Sequence, residues 1–490
     1  MSNPVPIVPD PAVPRPRRRW WAVSLRGLMV LILVVGGLIG WWVRGATLRR
    51  EAVTTLREAG AVVTFRDEPG QEDKAGVWTW LYRRTGVEAF REVAGVAFRP
   101  PGMKASPPVD PAAPRPGLDE TFRALGRLGR VGSVEVWLSA VTPAHLRELA
   151  GARVDRLYLV AVPEVTGPMM AEVARIGGLT DLQVNWPKTR MDPAILRAVA
   201  AMPRLERVEL HGFAAPLTEA DVAPLAALPG LRVLALSPAP RGEGYLDRIG
   251  AAGRLTEVWL GGTRISDAGL RRLVARSPGL VAISLDGAAL TDAGVEALAS
   301  LPQLTTLDLV GRVAGAPGGA LTDASLATLG RLRALTTLGV TGGHFTDRGI
   351  DALQGLQLWN LQLGAIESIG PATLGRLLGR PHGLLSLRGP GVTDATVAIL
   401  AASPPGKGNL DLSYSAVTDA GMATLAGVPC SGLSLIGTNI TDRGLATLGA
   451  GTTARELVLW ETAVTPEAAD AFRAARQRPT LFIGPAKEDQ

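Results

Sequence analysis

From Ser133 onward, the apolar and polar positions of the chain repeat one short pattern many times. Each copy alternates apolar and polar residues over about five positions, passes a Ser/Thr-Asp pair, and then spaces apolar residues three and four apart. Alternation with a period of two is typical of a strand, and the wider spacing is typical of a helix. Clear copies begin at Leu255, Leu280, Leu335 and Gly432. The pattern therefore predicts one strand and one short helix per copy.

The copies recur at a nearly constant interval. Thr142 and Thr166 are 24 residues apart, and Ser266 and Thr291 are 25 apart. A period of about 20–29 residues is typical of leucine-rich repeats, whose strands stack side by side in one sheet. We therefore predict an α/β fold, a horseshoe-shaped leucine-rich-repeat solenoid of about 14–15 coils over residues 118–490, closed by a C-terminal cap strand.

The motif has a physical explanation within a single copy. Leu304, Leu307 and Leu309 share one side of a strand and are predicted to point inward. The Ser or Thr that follows each strand is a good N-cap, and the Asp after it favours the positive end of the helix dipole. Ile265 and Leu270 flank such a cap at the positions of a hydrophobic staple. Each copy thus predicts its own helix start.

An apolar run precedes the repeats. Residues 27–43 contain no charged side chain, and a helix that starts at Trp20 would be about 36 Å long, enough to cross a bilayer. Tryptophan pairs stand at both ends, as in aromatic belts. A cleaved signal peptide is the alternative, although its apolar stretch would be shorter and small residues would mark a cleavage site. We predict a disordered basic tail over residues 1–19 and a transmembrane helix over residues 20–43.

Arginines on both sides of the span bear on its orientation. Four precede it (Arg15, Arg17, Arg18 and Arg19), and four follow it (Arg44, Arg49, Arg50 and Arg57). The positive-inside rule leaves a small margin, and the short tail before the span favours a cytoplasmic N-terminus. We therefore predict that the repeats lie outside the cytoplasm, with cytoplasmic repeats as the alternative.

Residues 44–117 connect the span to the repeats. The predicted elements are a juxtamembrane helix over residues 47–59, strands over 61–65 and 93–98, and a Pro-rich loop over 100–116. Because a solenoid needs its terminal coil covered, we predict that this segment is the N-terminal cap. Trp78 and Trp80 are interpreted as part of its core rather than as ligand contacts.

Composition and charge narrow the functional classes. The net charge of +6 is spread over 490 residues, and no Lys/Arg stripe with interleaved aromatics appears, so nucleic-acid binding is not predicted. Cys430 is the only cysteine and is expected to pack as a small apolar residue. The four histidines lack a metal-ligand spacing, and capping explains the repeated Asp. We therefore predict no enzyme, no metal and no small-molecule cofactor.

The repeat motif resembles a known class. The T-D-x-G-[L/V] helix start, as at residues 291–295 and 441–445, resembles bacterial leucine-rich repeats related to the ribonuclease-inhibitor-like and F-box-associated class. The order of basic tail, span and repeats is similar to membrane-anchored leucine-rich-repeat proteins of GC-rich bacteria. The usual corner Asn is replaced here, for example by Thr438 and Ser415, and no F-box precedes the repeats. The resemblance implies the fold and leaves the ligand open.

Outward strand positions define the predicted concave face. The candidate partner-binding residues on it are Trp137, Tyr158, Gln183, Glu209, Trp259 and Asp308. Neighbouring coils lie about 5 Å apart, so Trp137 and Tyr158 are predicted to form one patch. Exposed aromatics resemble binding hot spots, although they could equally cover gaps between coils. We predict a membrane-tethered module that binds a protein or peptide, with a cell-envelope structural or glycan-binding protein as the alternative.

Overall fold

The computed structural model describes residues 25–65, 93–98, 117–137, 140–185, 192–212, 217–240, 242–249, 253–262, 264–287, 289–310, 321–449, 451–475 and 480–482. The predicted tail, Trp78, Trp80 and the Pro-rich loop lie outside these residues.

The strands include those predicted at 61–65 and 93–98, with bounds that agree to within one residue. In chain order they are β1 (Val62–Phe65), β2 (Val93–Phe98), β3 (Arg130–Trp137), β4 (Arg153–Val160), β5 (Asp181–Asn185), β6 (Arg207–His211), β7 (Val233–Ser237), β8 (Glu257–Leu260), β9 (Ala282–Asp286), β10 (Thr306–Val310), β11 (Leu321–Thr322), β12 (Thr337–Thr341), β13 (Gly343–His344), β14 (Asn360–Leu363), β15 (Leu384–Leu387), β16 (Gly389–Thr393), β17 (Asn409–Asp411), β18 (Ser415–Ala416), β19 (Gly432–Ser434), β20 (Glu456–Val458) and β21 (Thr480–Phe482).

The helices alternate with these strands. They are α1 (Leu25–Glu58), α2 (Leu118–Arg127), α3 (Pro143–Leu149), α4 (Gly167–Val173), α5 (Pro193–Ala200), α6 (Glu219–Val222), α7 (Tyr245–Ile249), α8 (Asp267–Arg276), α9 (Asp292–Val295), α10 (Asp323–Leu329), α11 (Asp347–Asp351), α12 (Pro371–Leu377), α13 (Asp394–Ala402), α14 (Met422–Leu425), α15 (Asp442–Gly449) and α16 (Pro466–Ala475). Short 3-10 turns cover Ala223–Ala227, Glu296–Ser300 and Asp419–Gly421.

One sheet of 17 strands extends along the described chain. β1 is antiparallel to β2, and every later pair in this sheet is parallel. The strands follow one another in chain order, except that β11, β13, β16 and β18 form two small separate pairs. One strand per coil from β3 to β21 agrees with the predicted 14–15 coils and confirms the α/β solenoid.

The inward leucines of all coils form one continuous apolar core. Leu304, Leu307 and Leu309 are buried, as their alternation predicted, and so are the staple residues Ile265 and Leu270. The same cluster extends from the end of α1 to α16. Burying each such side chain contributes about 1.5–3 kcal/mol, so stacking of neighbouring coils is the main source of stability.

The Asp of each Thr-Asp pair bonds to the following coil, which the pattern within one copy did not predict. Asp267 accepts hydrogen bonds from the backbone N of Thr291 at 2.8 Å and from its hydroxyl at 2.6 Å. The same pair of bonds joins Asp292 to Thr322, Asp323 to Thr346, Asp394 to Thr418, Asp419 to Thr441 and Asp442 to Thr465. A ladder of charge-assisted bonds therefore links successive helix starts.

The ladder crowds the glycine of the T-D-x-G motif. A Cβ on Gly421 would lie 2.4 Å from Oδ1 of Asp394 in the preceding coil, and one on Gly444 would lie 2.1 Å from Oδ1 of Asp419. At these two positions the carboxylate lies in the space that a side chain would need. Two coils accommodate a Cβ at the same position, with Ser325 opposite Asp292 and Ala468 opposite Asp442.

Asp292 shows how the ladder responds to pH. Burial would raise the pKa of the Asp292 carboxyl, but hydrogen bonds from Ser325 and Thr322 outweigh burial and lower the pKa below its usual range. Because the pKa of Asp292 is lower in the folded state, its ionised carboxylate stabilises the fold at pH values above the unfolded-state pKa of about 3.9. This stabilisation is lost as the pH falls through the folded-state pKa.

We expect Asp292→Ala to destabilise the chain by about 1.5–3 kcal/mol at pH 7, because bonds to a charged acceptor are lost. The difference from the parent chain should be smaller at pH 3, because the stabilisation that comes from the lowered pKa declines once the pH is below the unfolded value of about 3.9. Denaturant unfolding of the full chain in detergent, followed by circular dichroism at both pH values, measures it. Asp470→Ala, at an exposed Asp of α16, is the control and should change little. An equal loss at both pH values would contradict this account.

The predicted span and juxtamembrane helix are one continuous helix, α1. Its first part exposes apolar side chains from Leu28 to Val43, and its last part buries Ala52, Val53 and Leu56 against the first coil. No proline interrupts residues 25–58, so no helix break is imposed between the two parts. Among the described residues, it is the one helix that is long and apolar enough to cross a membrane.

Candidate binding face

The parallel register places equivalent outward residues in three rows that run across the strands. The middle row consists of Glu135, Tyr158, Gln183, Glu209, Ala235, Trp259, Ser284, Asp308, Gly339, Gln362, Ser386, Asp411, Ser434 and Val458. We call the positions two residues earlier the first row and those two residues later the third row. Together these rows are the concave face.

The structure places five of the six predicted residues in the middle row and one outside it. Tyr158, Gln183, Glu209, Trp259 and Asp308 all lie there, each partly exposed. Trp137 lies in the third row, because it pairs with Val160 while Tyr158 pairs with Glu135. Trp137 is therefore not the directly adjacent residue that a spacing of about 5 Å from Tyr158 implied, since a period of two fixes the face but not the register.

Trp137 and Tyr158 are consequently diagonal neighbours rather than direct ones. Diagonal Cα atoms on adjacent strands lie about 7–8 Å apart, which is within reach of aromatic side chains. The Trp137 indole donates to Oε2 of Glu135 at 3.4 Å. Burial raises the pKa of the Tyr158 hydroxyl, so it stays protonated at neutral pH. Both rings are held on the face beside polar groups.

Arg207, in the first row, lies among three carboxylates. Its guanidinium is 2.7 Å from Glu209, 3.3 Å from Glu257 and 3.5 Å from Asp181. The small Val233 between β6 and β8 lets it reach Glu257 two strands away. Burial would lower the pKa of Arg207, but these carboxylates outweigh burial and raise it. One positive charge is thus shared by three negative ones.

His211 adds no further positive charge at neutral pH. Its Nε2 lies 3.9 Å from Glu209, but burial dominates and lowers the pKa of the imidazole. The ring is therefore neutral at pH 7 and serves as a hydrogen-bonding group of the third row.

Asp308 is the least satisfied of the predicted residues. Its Oδ1 is buried without a hydrogen-bond partner and faces Gly339, whose Cβ would lie 2.5 Å away. Burial raises the pKa of Asp308; a bond from Ser284 lowers it, and the negative charge of Asp286 raises it. One carboxylate oxygen of Asp308 thus has no hydrogen-bond partner among the described residues.

In the second half of the face, Asp411 and Arg388 form an ion pair. Asp411 accepts hydrogen bonds from the Ser386 hydroxyl at 2.9 Å, from Nε of Arg388 at 3.0 Å and from the backbone N of Ser413 at 3.0 Å. Burial would raise the pKa of Asp411, but the bonds from Ser413 and Arg388 outweigh burial and lower it. This cluster is internally paired.

Sequence reasoning missed Tyr414. It has a left-handed backbone (φ 54°) at the corner where sister coils have Gly262, Gly287 and Gly437. Its ring lies over Gly437, and 42% of the residue is exposed, as is 48% of Trp460. The sequence does carry a signal, because a tyrosine stands at a corner position where several other coils have glycine. A left-handed backbone is costly for residues other than glycine.

Cys430 and His382 are both buried among the inward side chains. Burial raises the pKa of the Cys430 thiol to about 11, so it stays protonated. His382 is buried, with Nε2 3.2 Å from the carbonyl oxygen of Leu377. Within the described ranges, no three His, Cys, Asp or Glu side chains are grouped to hold a metal ion.

The chain forms successive parallel strands, one per coil, with helices on the other side of one apolar core. This arrangement defines a leucine-rich-repeat solenoid. No family model matches the chain, and no curated protein matches it. Solved structures similar to it include an internalin from Listeria monocytogenes, at 17% identity and TM-score 0.41, over 69% of this chain and 94% of that one. A leucine-rich-repeat protein of Leptospira interrogans is similar at 13% identity and TM-score 0.32, over 74% and 91%.

The ectodomain of a plant membrane receptor kinase from Arabidopsis thaliana is similar at 16% identity and TM-score 0.36, over 70% of this chain and 48% of that one. The class assigned to this chain rests on its own topology and register.

Proposed function

We propose that the chain is a membrane-tethered, non-enzymatic interaction module that binds a protein or peptide on the first half of its concave face. The observation that carries the proposal is the asymmetry of that face. Its first half presents Trp137, Tyr158 and Trp259 in rows that also carry Glu209 and Asp308, whereas the middle row of the second half presents mostly small side chains and the internally paired Asp411. The exposed ring of Trp460 lies in the third row at the far end of the second half. Aromatic side chains next to polar groups are typical of binding hot spots.

α1 supports the tethered part of the proposal. Its apolar half has the length of a membrane span, and its other half is built into the solenoid core. The repeats would therefore be held by a helix rather than by a flexible linker. The distance from Trp42 to Leu56 along α1 is about 21 Å, so the first coils would lie close to the bilayer. The proposed orientation has these coils outside the cytoplasm.

Site-specific photo-crosslinking tests the proposed face. A photoreactive residue at Gln183, in the middle row, is expected to crosslink a partner in intact membranes, because this position lies between Tyr158 and Glu209. The same residue at the exposed Arg443 of α15 is the control and should give no such product. Equal products from both positions, or a product from Arg443 alone, would contradict binding on the concave face.

A further inference from the structure

The first half of the concave face has a charge opposite to that of the chain. Across β3 to β10, the three rows carry six carboxylates and two guanidinium groups, a formal net charge of −4, whereas the whole chain has a net charge of +6. The carboxylates belong to Glu135, Asp181, Glu209, Glu257, Asp286 and Asp308, and the guanidinium groups to Arg156 and Arg207. We call this part the acidic face.

Among the described residues, few cations face the carboxylates of the acidic face. Arg207 is the shared partner of three of its carboxylates, and the neighbouring His211 is held neutral by burial. At the other end, Oδ1 of Asp308 has no hydrogen-bond partner, and Asp286 on the adjacent strand is exposed. Arg232 and Arg254 are near but line a groove at the strand starts, outside the three rows. Within the part of the chain that the structure describes, carboxylates therefore outnumber cations on this face.

Aromatic rings lie among these carboxylates. Tyr158 pairs with Glu135 on one side, and Trp259 lies between β7 and β9 in the same row. A ring face beside a carboxylate is the environment that Lys and Arg side chains prefer, because both the ring quadrupole and the anion attract a cation. The same surface repels phosphates and acidic peptides.

We propose that the acidic face binds an extended peptide segment rich in Lys and Arg, which crosses the strands from β3 to β10. This inference rests on the proposed function and names the chemistry of its partner. Eight strands at a spacing of about 4.8 Å span about 34 Å, which matches roughly ten extended residues. Basic side chains on one side of such a segment can reach the carboxylates while the rings contact their aliphatic stems.

Fluorescence anisotropy on the full chain in phosphatidylcholine nanodiscs tests this inference. The probes are three labelled ten-residue peptides in which Ser alternates with Arg, with Gln or with Glu. We expect the Arg peptide to bind at least tenfold more tightly than the Gln peptide, with an affinity that falls as NaCl rises from 50 to 300 mM. The Glu peptide should not bind. Equal binding of all three peptides would overturn the inference.

Two variants locate the interaction. Glu257→Gln/Asp286→Asn removes two charges from the acidic face, and we expect it to weaken the Arg peptide at least fivefold. Glu296→Gln/Glu467→Gln removes two charges from exposed positions outside the rows and should leave binding unchanged. Circular dichroism confirms that each variant is folded. Equal effects of the two variants would overturn the inference.

The crosslinking experiment at Gln183 separates this inference from the proposed function. A crosslinked partner segment without basic residues would leave the proposed function standing and overturn the basic-peptide inference. Crosslinks from Arg443 alone would overturn both.

Discussion

Replacing Gly421 by alanine is expected to destabilise the solenoid by about 3 kcal/mol. The new Cβ would lie 2.4 Å from Oδ1 of Asp394, so either the helix start or the carboxylate must move. Overpacking costs about 1–3 kcal/mol, and the loss of bonds between Asp394 and Thr418 adds about 1.5–3 kcal/mol. Denaturant unfolding of the full chain in detergent measures the change.

Gly375→Ala is the matched control for this substitution. Gly375 lies in α12 with open space around its Cβ position, so alanine there should stabilise the chain by about 0.5–1 kcal/mol. The double variant Gly421→Ala/Asp394→Ala should lose less stability than the two single changes together, because removal of the carboxylate relieves the overlap. Additive effects would contradict the crowding of Gly421 by Asp394.

Leu56→Ala is expected to have the second largest effect. Leu56 is fully buried between α1 and the first coil, and truncation of a buried leucine costs about 2–5 kcal/mol. Because the change lies at the end of the array, β2, α2 and β3 should open first. Hydrogen exchange measured by mass spectrometry should show faster exchange over residues 117–137 than over residues 432–449.

Leu48→Ala provides the comparison within the same helix. Leu48 is 38% exposed, so the same truncation there should cost little stability and leave exchange of the first coil unchanged. If Leu48→Ala and Leu56→Ala loosen the first coil equally, α1 does not act as the cap of the solenoid.

The features that could be predicted are those that depend on neighbours within one coil. Alternation identified Leu304, Leu307 and Leu309 as inward residues, and the Thr-Asp pairs located the helix starts, because both depend on positions less than ten residues apart. The repeat length then gave the parallel sheet, since each coil must stack on a similar one.

The features that escaped prediction depend on contacts between coils. Asp394 bonds to Thr418 24 residues away, and only the register shows that this carboxylate fills the space next to Gly421. The register also places Trp137 two residues beyond Glu135, the residue that pairs with Tyr158. The alternation of apolar and polar residues is the same for either alignment of the two strands. The packing of Leu56 at the end of α1 against the first coil is also a contact between separate elements, which an apolar run does not reveal.

The measurement that tests the central claim most directly is quantitative capture with the full chain in detergent, compared with Trp137→Ala/Tyr158→Ala. Trp359→Ala removes an exposed tryptophan that precedes β14 and lies outside the three rows, so it is the control. We expect one partner to be retained by the parent chain and the control, and its recovery to fall at least tenfold with the double variant. Equal recovery by all three proteins would contradict binding on the concave face.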